Sequence, residues 1–278
     1  KATTGMGAAG LSYEQMATRM AARTGGVGTS ALAGRTIRGG DLYQQLMVDG
    51  SVLGRNAGEL FSIFTDLLAA PRPDDQKRLR DILLETASRM TSRLIPAGSM
   101  FASMRAAAPL DAAAWRREQW GGVTQMRFLN ELAREDAVEP VVERVRSLQS
   151  RLLGRRRLAV HLAGDGRILD ALRPHVEGFV RSLPEGADVI AVEPTLPPVS
   201  RATGIILPAQ VNYVGQVLSV PRMPDPAAPA LHLLAEVLSN DYLYQRLRVQ
   251  GGAYGGFCGY SADAGILPML SYRDPHLL

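Results

Sequence analysis

Residues Gln245–Tyr260 read QRLRVQGGAYGGFCGY. A polar, basic helix end runs into Gly251 and Gly252, and a tyrosine follows on what reads as a strand. A glycine pair lets a backbone turn sharply and lets another chain come close. Arg248 and Tyr254 flank that turn, and a guanidinium and a phenol are two donors that can aim at one acceptor. Taken alone, the stretch reads equally as a helix C-cap with a surface arginine and a half-buried tyrosine. Either way it is a helix–turn–strand step, the repeating unit of an α/β (α+β) chain.

The same step occurs near the start. MAARTGGVGTS (20–30) and RLRVQGGAYGG (246–256) share a helix, an arginine, a glycine pair and a strand. The echo suggests two copies of one α/β unit. In the first copy Gly28 stands where the second has Tyr254.

Between the copies the pattern alternates. Ser12 reads as an N-cap with Glu14 and Gln15 in the first turn, and Met16 and Met20 recur at helical spacing up to Gly25–Gly26. Residues 27–39 and 41–53 read as consecutive strands. Leu60, Phe61, Phe64, Leu67 and Leu68 share one face of a helix that Pro71 and Pro73 stop. Asp74 and Asp75 open a long helix that Pro96–Gly98 interrupts. Asp111 caps the next, and two further helices cover 123–134 and 139–153. Residues 156–166 read as a strand and turn, 166–184 as a helix, and 205–220 as a strand region. A helix re-capped near Ser239–Asp241 leads into the quoted stretch. A hairpin follows whose second strand is Ile266–Tyr272. VEPTLPPVSRATG (192–204) has three prolines and reads as a linker. The division is therefore 1–191, a linker 192–204, and 205–278.

The 278 residues suit about two domains. Hydrophobic residues make up 46% and charged ones 21%, an ordinary globular balance. No apolar run approaches the roughly 18 residues of a membrane span. The first residues lack a secretory pattern, and a cytoplasmic setting is expected, or an organellar matrix in a eukaryote. The net charge of +4 comes from scattered arginines, and aromatics are 6%. Arg155–Arg157 is the one tight basic run, so a nucleic-acid groove with stacking aromatics is not indicated. Cys258 is the single cysteine, which removes a disulfide framework. No histidine stands near it in sequence to activate it as a nucleophile.

His161, His175, His232 and His276 form neither H-x-x-E-H nor H-E-x-x-H, the spacings that put two imidazoles on one zinc. His232 and Glu236 share a helix face, as a surface i,i+4 contact does. No G-x-S-x-G, Walker or dinucleotide glycine motif is present, and AGDGRILD (163–170) lacks the phosphate-cradle glycines and lysine. The chain shows no self-sufficient catalytic centre, no metal site and no cofactor site.

LRVQGGAYGG followed by GILPMLSYRDP resembles the start of the last module of presequence-protease-like enzymes, members of the insulinase/pitrilysin family of zinc metallopeptidases. YEQMATRMAARTGG, DGSVLGRNAGELFSIFTDLLAAPRPDD, SRLIPAGSMFASMRA, GGVTQMRFL and LPAQVNYVGQVLSVP resemble the third module or the start of the fourth. The resemblance implies modules with a mixed sheet packed against helices, in two halves that close around unfolded peptides. It places the zinc and its H-x-x-E-H motif in a first module absent here, in the N-terminal half of the enzyme. It makes 1–191 the third module and 205–278 the start of the fourth. By motif position, Arg248 and Tyr254 become the donors that reach the peptide at the zinc, and Gly251, Gly252 and Ala253 line the substrate backbone.

The expected partners are then unfolded peptides and the catalytic half of the same enzyme. The alternative is an inactive relative serving as a scaffold or peptide-holding subunit. The chain does not begin with Met and reads as a fragment. On that reading the strand at Ile266–Leu270 lies along an open edge, which would allow self-association, and the ordered body runs from about residue 5 to 190.

Overall fold

The computed structural model describes residues 2–135, 138–186, 193–200 and 202–276. They fall into two compact units whose segments interleave: Lys1–Ala31, Leu46–Thr86 and Glu131–Ile190 in the first, Leu32–Gln45, Ala87–Asn130 and Ala191–Leu278 in the second. Both are helices packed with small sheets, as an α/β chain requires.

The first unit is organised around the helix Ala57–Ala69. Leu60, Phe61, Phe64 and Leu68 point to Phe179 and Leu183 on and just after the helix Gly166–Ser182. Phe61, Phe64 and Phe179 form a ring cluster with centroids 5.9–6.2 Å apart. A second stripe of the helix, Ile63 and Leu67, packs on Met16 of the helix Tyr13–Arg23. Arg19 ties these two helices, donating to Glu59 at 2.6 Å and to Asp66 at 2.6 Å. Ser12 closes the start of its helix as expected. Its hydroxyl accepts from the Gln15 amide, and Gln15 answers to the Ser12 N–H at 2.8 Å. Gly26–Ala31 and Leu46–Ser51, parts of the paired strands Gly26–Arg35 and Leu42–Ser51, also lie in this unit.

The second unit carries a three-stranded antiparallel sheet in the order Gly215–Ser219, Ile266–Tyr272, Gly255–Cys258. The helix Gly98–Ala107 crosses it closely: a Cβ on Gly215 would lie 3.1 Å from backbone atoms of Ala102 and Ser103. Ala107, Ala114, Ala264 and Ile266 fill the layer beneath. Asp111 caps the helix Ala112–Gly121 through the amides of Ala113 and Ala114. Its other oxygen takes Arg35 Nε at 2.5 Å. Arg117 of that helix reaches the hairpin turn, pairing with Asp263.

The strand Ile266–Tyr272 is central, hydrogen-bonded on both sides, with Ile266 and Leu267 buried. This corrects the expectation of an open edge there. Pro268 is tolerated because it sits where the neighbouring strand ends. Its carbonyl accepts from Gly259, so the donor it lacks would have faced that end of the ladder. The outer side of Cys258 is also closed. Ser239 Oγ accepts from the Cys258 N–H at 2.7 Å and donates to its carbonyl at 2.8 Å.

Two other local expectations change. Leu158–Gly164 follows a tight turn at Arg155–Arg157 but joins no ladder among the described residues; an apolar run becomes a strand only when a partner strand takes up its backbone groups. Ser239 does not re-cap a helix, since its hydroxyl is spent on Cys258. Instead the helix Ala228–Val237 runs on as a wider coil through Gln250.

Candidate functional site

The wide coil ends in three stacked backbone bonds. The Gly251 N–H donates to the Arg246 carbonyl at 3.0 Å, Gly252 to Arg248 at 3.2 Å and Ala253 to Leu247 at 2.9 Å. Gly252 has φ +75°, a conformation that favours glycine. At Gly251 a Cβ would stand 2.8 Å from the Leu247 carbonyl oxygen. The Tyr254 N–H then donates to the Tyr272 carbonyl at 3.0 Å, which locks the chain onto the central strand.

This turn brings Arg248 and Tyr254 together. The guanidinium carbon of Arg248 lies 5.7 Å from the centre of the Tyr254 ring and 5.6 Å from that of Tyr244, one helical turn earlier. Tyr254 is 65% exposed, and its ring meets Tyr272 edge-on with centroids 5.8 Å apart. Tyr272 in turn packs on Tyr213. Among the described residues, neither the Arg248 guanidinium nor the Tyr254 hydroxyl has a hydrogen-bond partner. Both donor sets are therefore free to meet a ligand. The amides of Gly251, Gly252 and Ala253 are all used inside the turn, and the Ala253 methyl is buried. What these three positions offer an incoming chain is clearance at exposed Gly252.

Tyr244 and Tyr272 were not singled out by sequence reading. Tyr244 carried a signal, since residues four apart on a helix are neighbours. Tyr272 did not, because its place beside Tyr254 depends on strand pairing. Arg248 and Tyr254 stand on an open surface. A hollow of about 440 Å³ lies instead in the first unit, lined in part by Arg23, Arg55, Asn56 and His175. Among the described residues no three histidine, cysteine or carboxylate side chains gather to hold a metal ion, so these residues do not fit a zinc centre. No described helix is long and apolar enough to cross a membrane.

Comparison with solved structures gives the fold. The chain superposes on the periplasmic protease PqqL from Escherichia coli with a TM-score of 0.53 at 14% identity, over 97% of this chain and 28% of that one. Two family models match by sequence: Peptidase M16C associated over residues 1–132, and PreP C-terminal domain over residues 203–278. Presequence protease 1, chloroplastic/mitochondrial, of Arabidopsis thaliana is 31% identical over 98% of this chain and 26% of its own length. The mitochondrial presequence protease of Danio rerio is 26% identical over 98% of this chain and 29% of its own length. The chain thus spans between a quarter and a third of these relatives. It belongs to the presequence-protease-like members of the insulinase/pitrilysin family of zinc metallopeptidases.

Proposed function

We propose that this chain serves in the non-catalytic half of a zinc metalloendopeptidase that degrades short unfolded peptides, with Arg248 and Tyr254 as its donors to the substrate. Residues 1–191 are its third module, 192–204 a linker, and 205–278 the opening of the fourth. The observation that carries the reading is the pairing of two exposed, unsatisfied donors across a glycine turn. The names of the relatives support a peptidase role and an organellar setting, mitochondrial or chloroplastic.

The chemistry follows from what peptide hydrolysis demands. When water adds to a peptide carbonyl, negative charge builds on its oxygen. Donors fixed beforehand at that oxygen, or on the adjoining backbone carbonyl, favour the transition state over the bound substrate. The guanidinium offers several N–H groups in a fixed plane and the phenol one O–H. A zinc ion held elsewhere in such an enzyme would supply the activation of the attacking water; the described residues here gather no ligand set for it. Because the donors stand on an open face, the site becomes enclosed only when another surface meets it, so closure gates the reaction.

The test is turnover of the full-length enzyme on an unstructured peptide. Arg248→Ala and Tyr254→Phe should each lower kcat by about 100-fold or more, the effect of losing one oxyanion donor, with metal content and folding unchanged. Full turnover in Tyr254→Phe would remove the phenol from this role.

A further inference from the structure

We infer that Tyr244 is a positioning residue for Arg248: its ring forms one wall of an aromatic slot, with Tyr254 as the other, that holds the guanidinium ready for a substrate carbonyl. The inference rests on the reading of Arg248 and Tyr254 as substrate donors.

An exposed arginine has many rotamers, and ordering it costs binding free energy each time a ligand arrives. Proteins usually restrain such a side chain with a carboxylate. A carboxylate here would occupy the N–H groups that the substrate needs. Arg248 has no ion pair among the described residues. Its guanidinium carbon instead lies near two ring centres, 5.6 Å from Tyr244 and 5.7 Å from Tyr254. Aromatic faces attract the cation through their quadrupole and leave the N–H edge open. Restraint and availability are thus obtained together.

Each wall is built differently. Tyr244 precedes Arg248 by four residues, so the coil itself sets their spacing. It remains 42% exposed, with room for the arginine to lie against it. Tyr254 comes from across the Gly251–Gly252 turn and is steadied by Tyr272 on the central strand, 5.8 Å away and at 71°. The slot joins a helix to a sheet strand through the arginine. Arg246, on the same coil, makes the contrast: it lies 6.0 Å from the Tyr242 ring, and its Nη1 is engaged by Gln250 at 3.1 Å. Arg248 keeps its donors unengaged.

The prediction concerns the wall and not the tyrosine hydroxyl. In the full-length enzyme, Tyr244→Leu should lower kcat/KM by roughly three- to tenfold, the range of a cation–π contact at a partly exposed site. Tyr244→Phe should stay within about twofold of the parent, because the ring face is retained. The side chain is exposed enough that neither change should disturb folding, and unchanged thermal unfolding will check this.

A second readout is independent of turnover. Relaxation of the Arg248 Nε–Hε group by NMR should show it ordered in the parent and in Tyr244→Phe, and mobile in Tyr244→Leu. Kinetics separates the two levels of the account. If Arg248→Ala leaves turnover unchanged, the donor reading fails. If Arg248→Ala is damaging while Tyr244→Leu matches the parent in rate and in Arg248 order, the positioning role fails alone. A loss in Tyr244→Phe equal to that in Tyr244→Leu would also overturn it, since the hydroxyl would then be what matters.

Discussion

The two glycine-pair turns form a natural comparison. Both end a helix, both put the second glycine at positive φ, +129° at Gly26 and +75° at Gly252, and both feed a strand. Beyond that they diverge. In the first, a regular helix stops at Arg23, and the Gly25 N–H donates to Ser51 in the partner strand at 2.7 Å. Gly28, at the tyrosine's place, sits against Asp49, with 2.9 Å from an added Cβ to either carboxylate oxygen. In the second, the helix widens, the turn closes on itself, and a phenol follows next to an arginine. The glycine pair therefore specifies a turn. Whether a donor is presented depends on the flanking side chains and on the space the next strand leaves them.

This comparison can be broken at its shared feature. Gly26→Ala and Gly252→Ala both force a Cβ into a backbone region that side chains rarely adopt, and each should cost about 1–2 kcal/mol in denaturant unfolding. Only Gly252→Ala should also reduce turnover of the full-length enzyme, because only there would the strain move the proposed donors. Equal loss of turnover in both would mean that the turns share a role.

The second turn also differs in how its strand is held. Ser239→Ala removes both hydrogen bonds from the outer edge of Cys258 and should cost about 1 kcal/mol. Hydrogen exchange of the Cys258 amide should speed up, while the amides of the ribbon Gly26–Arg35 stay unchanged. No change at Cys258 would show that the edge is closed by something other than this hydroxyl.

The smallest effect is expected at the hairpin turn of the same sheet. Burial pushes the Asp263 carboxyl up, but a hydrogen bond from Ser261 and the neighbouring Arg117 guanidinium outweigh it and hold the group below the usual carboxylate range. A depressed folded-state pKa stabilises fully above the unfolded value of about 3.9 and ceases to do so as pH falls through the folded value. Water reaches this pair, which limits its worth. Asp263→Asn should lower Tm by roughly 1–3 °C at neutral pH, and the gap to the parent should close as pH drops below about 4. A gap that persists in acid would point to packing and not to charge.

What was legible in the sequence follows the range of the interactions. The Ser12–Gln15 box, the Asp111 cap and the two glycine turns rest on contacts within a few residues, and each appears where the sequence puts it. The apolar face Leu60–Leu68 was equally readable, because helical periodicity reports burial directly. Strands were less so. Leu158–Gly164 has the composition of one but no partner among the described residues, whereas Ile266–Tyr272 pairs with its hairpin neighbour Gly255–Cys258 on one side and with the more distant Gly215–Ser219 on the other. Ser239 was misread for the same reason: a hydroxyl near a helix junction suggests a cap, and its partners lie nineteen positions away at Cys258. The site itself divides likewise. The turn that brings Arg248 and Tyr254 together was readable from its glycine pair, but the packing of Tyr272 on Tyr254 depends on the register of the hairpin, which no local pattern encodes.

The central claim is that the second turn, and not the first, presents a substrate donor. Measuring kcat of the full-length enzyme for Arg248→Ala beside Arg23→Ala, on the same unstructured peptide, tests it most directly. The account predicts a loss of about 100-fold or more for Arg248→Ala and a change within about twofold for Arg23→Ala, the range of an exposed surface substitution. Comparable rates for the two variants would contradict it.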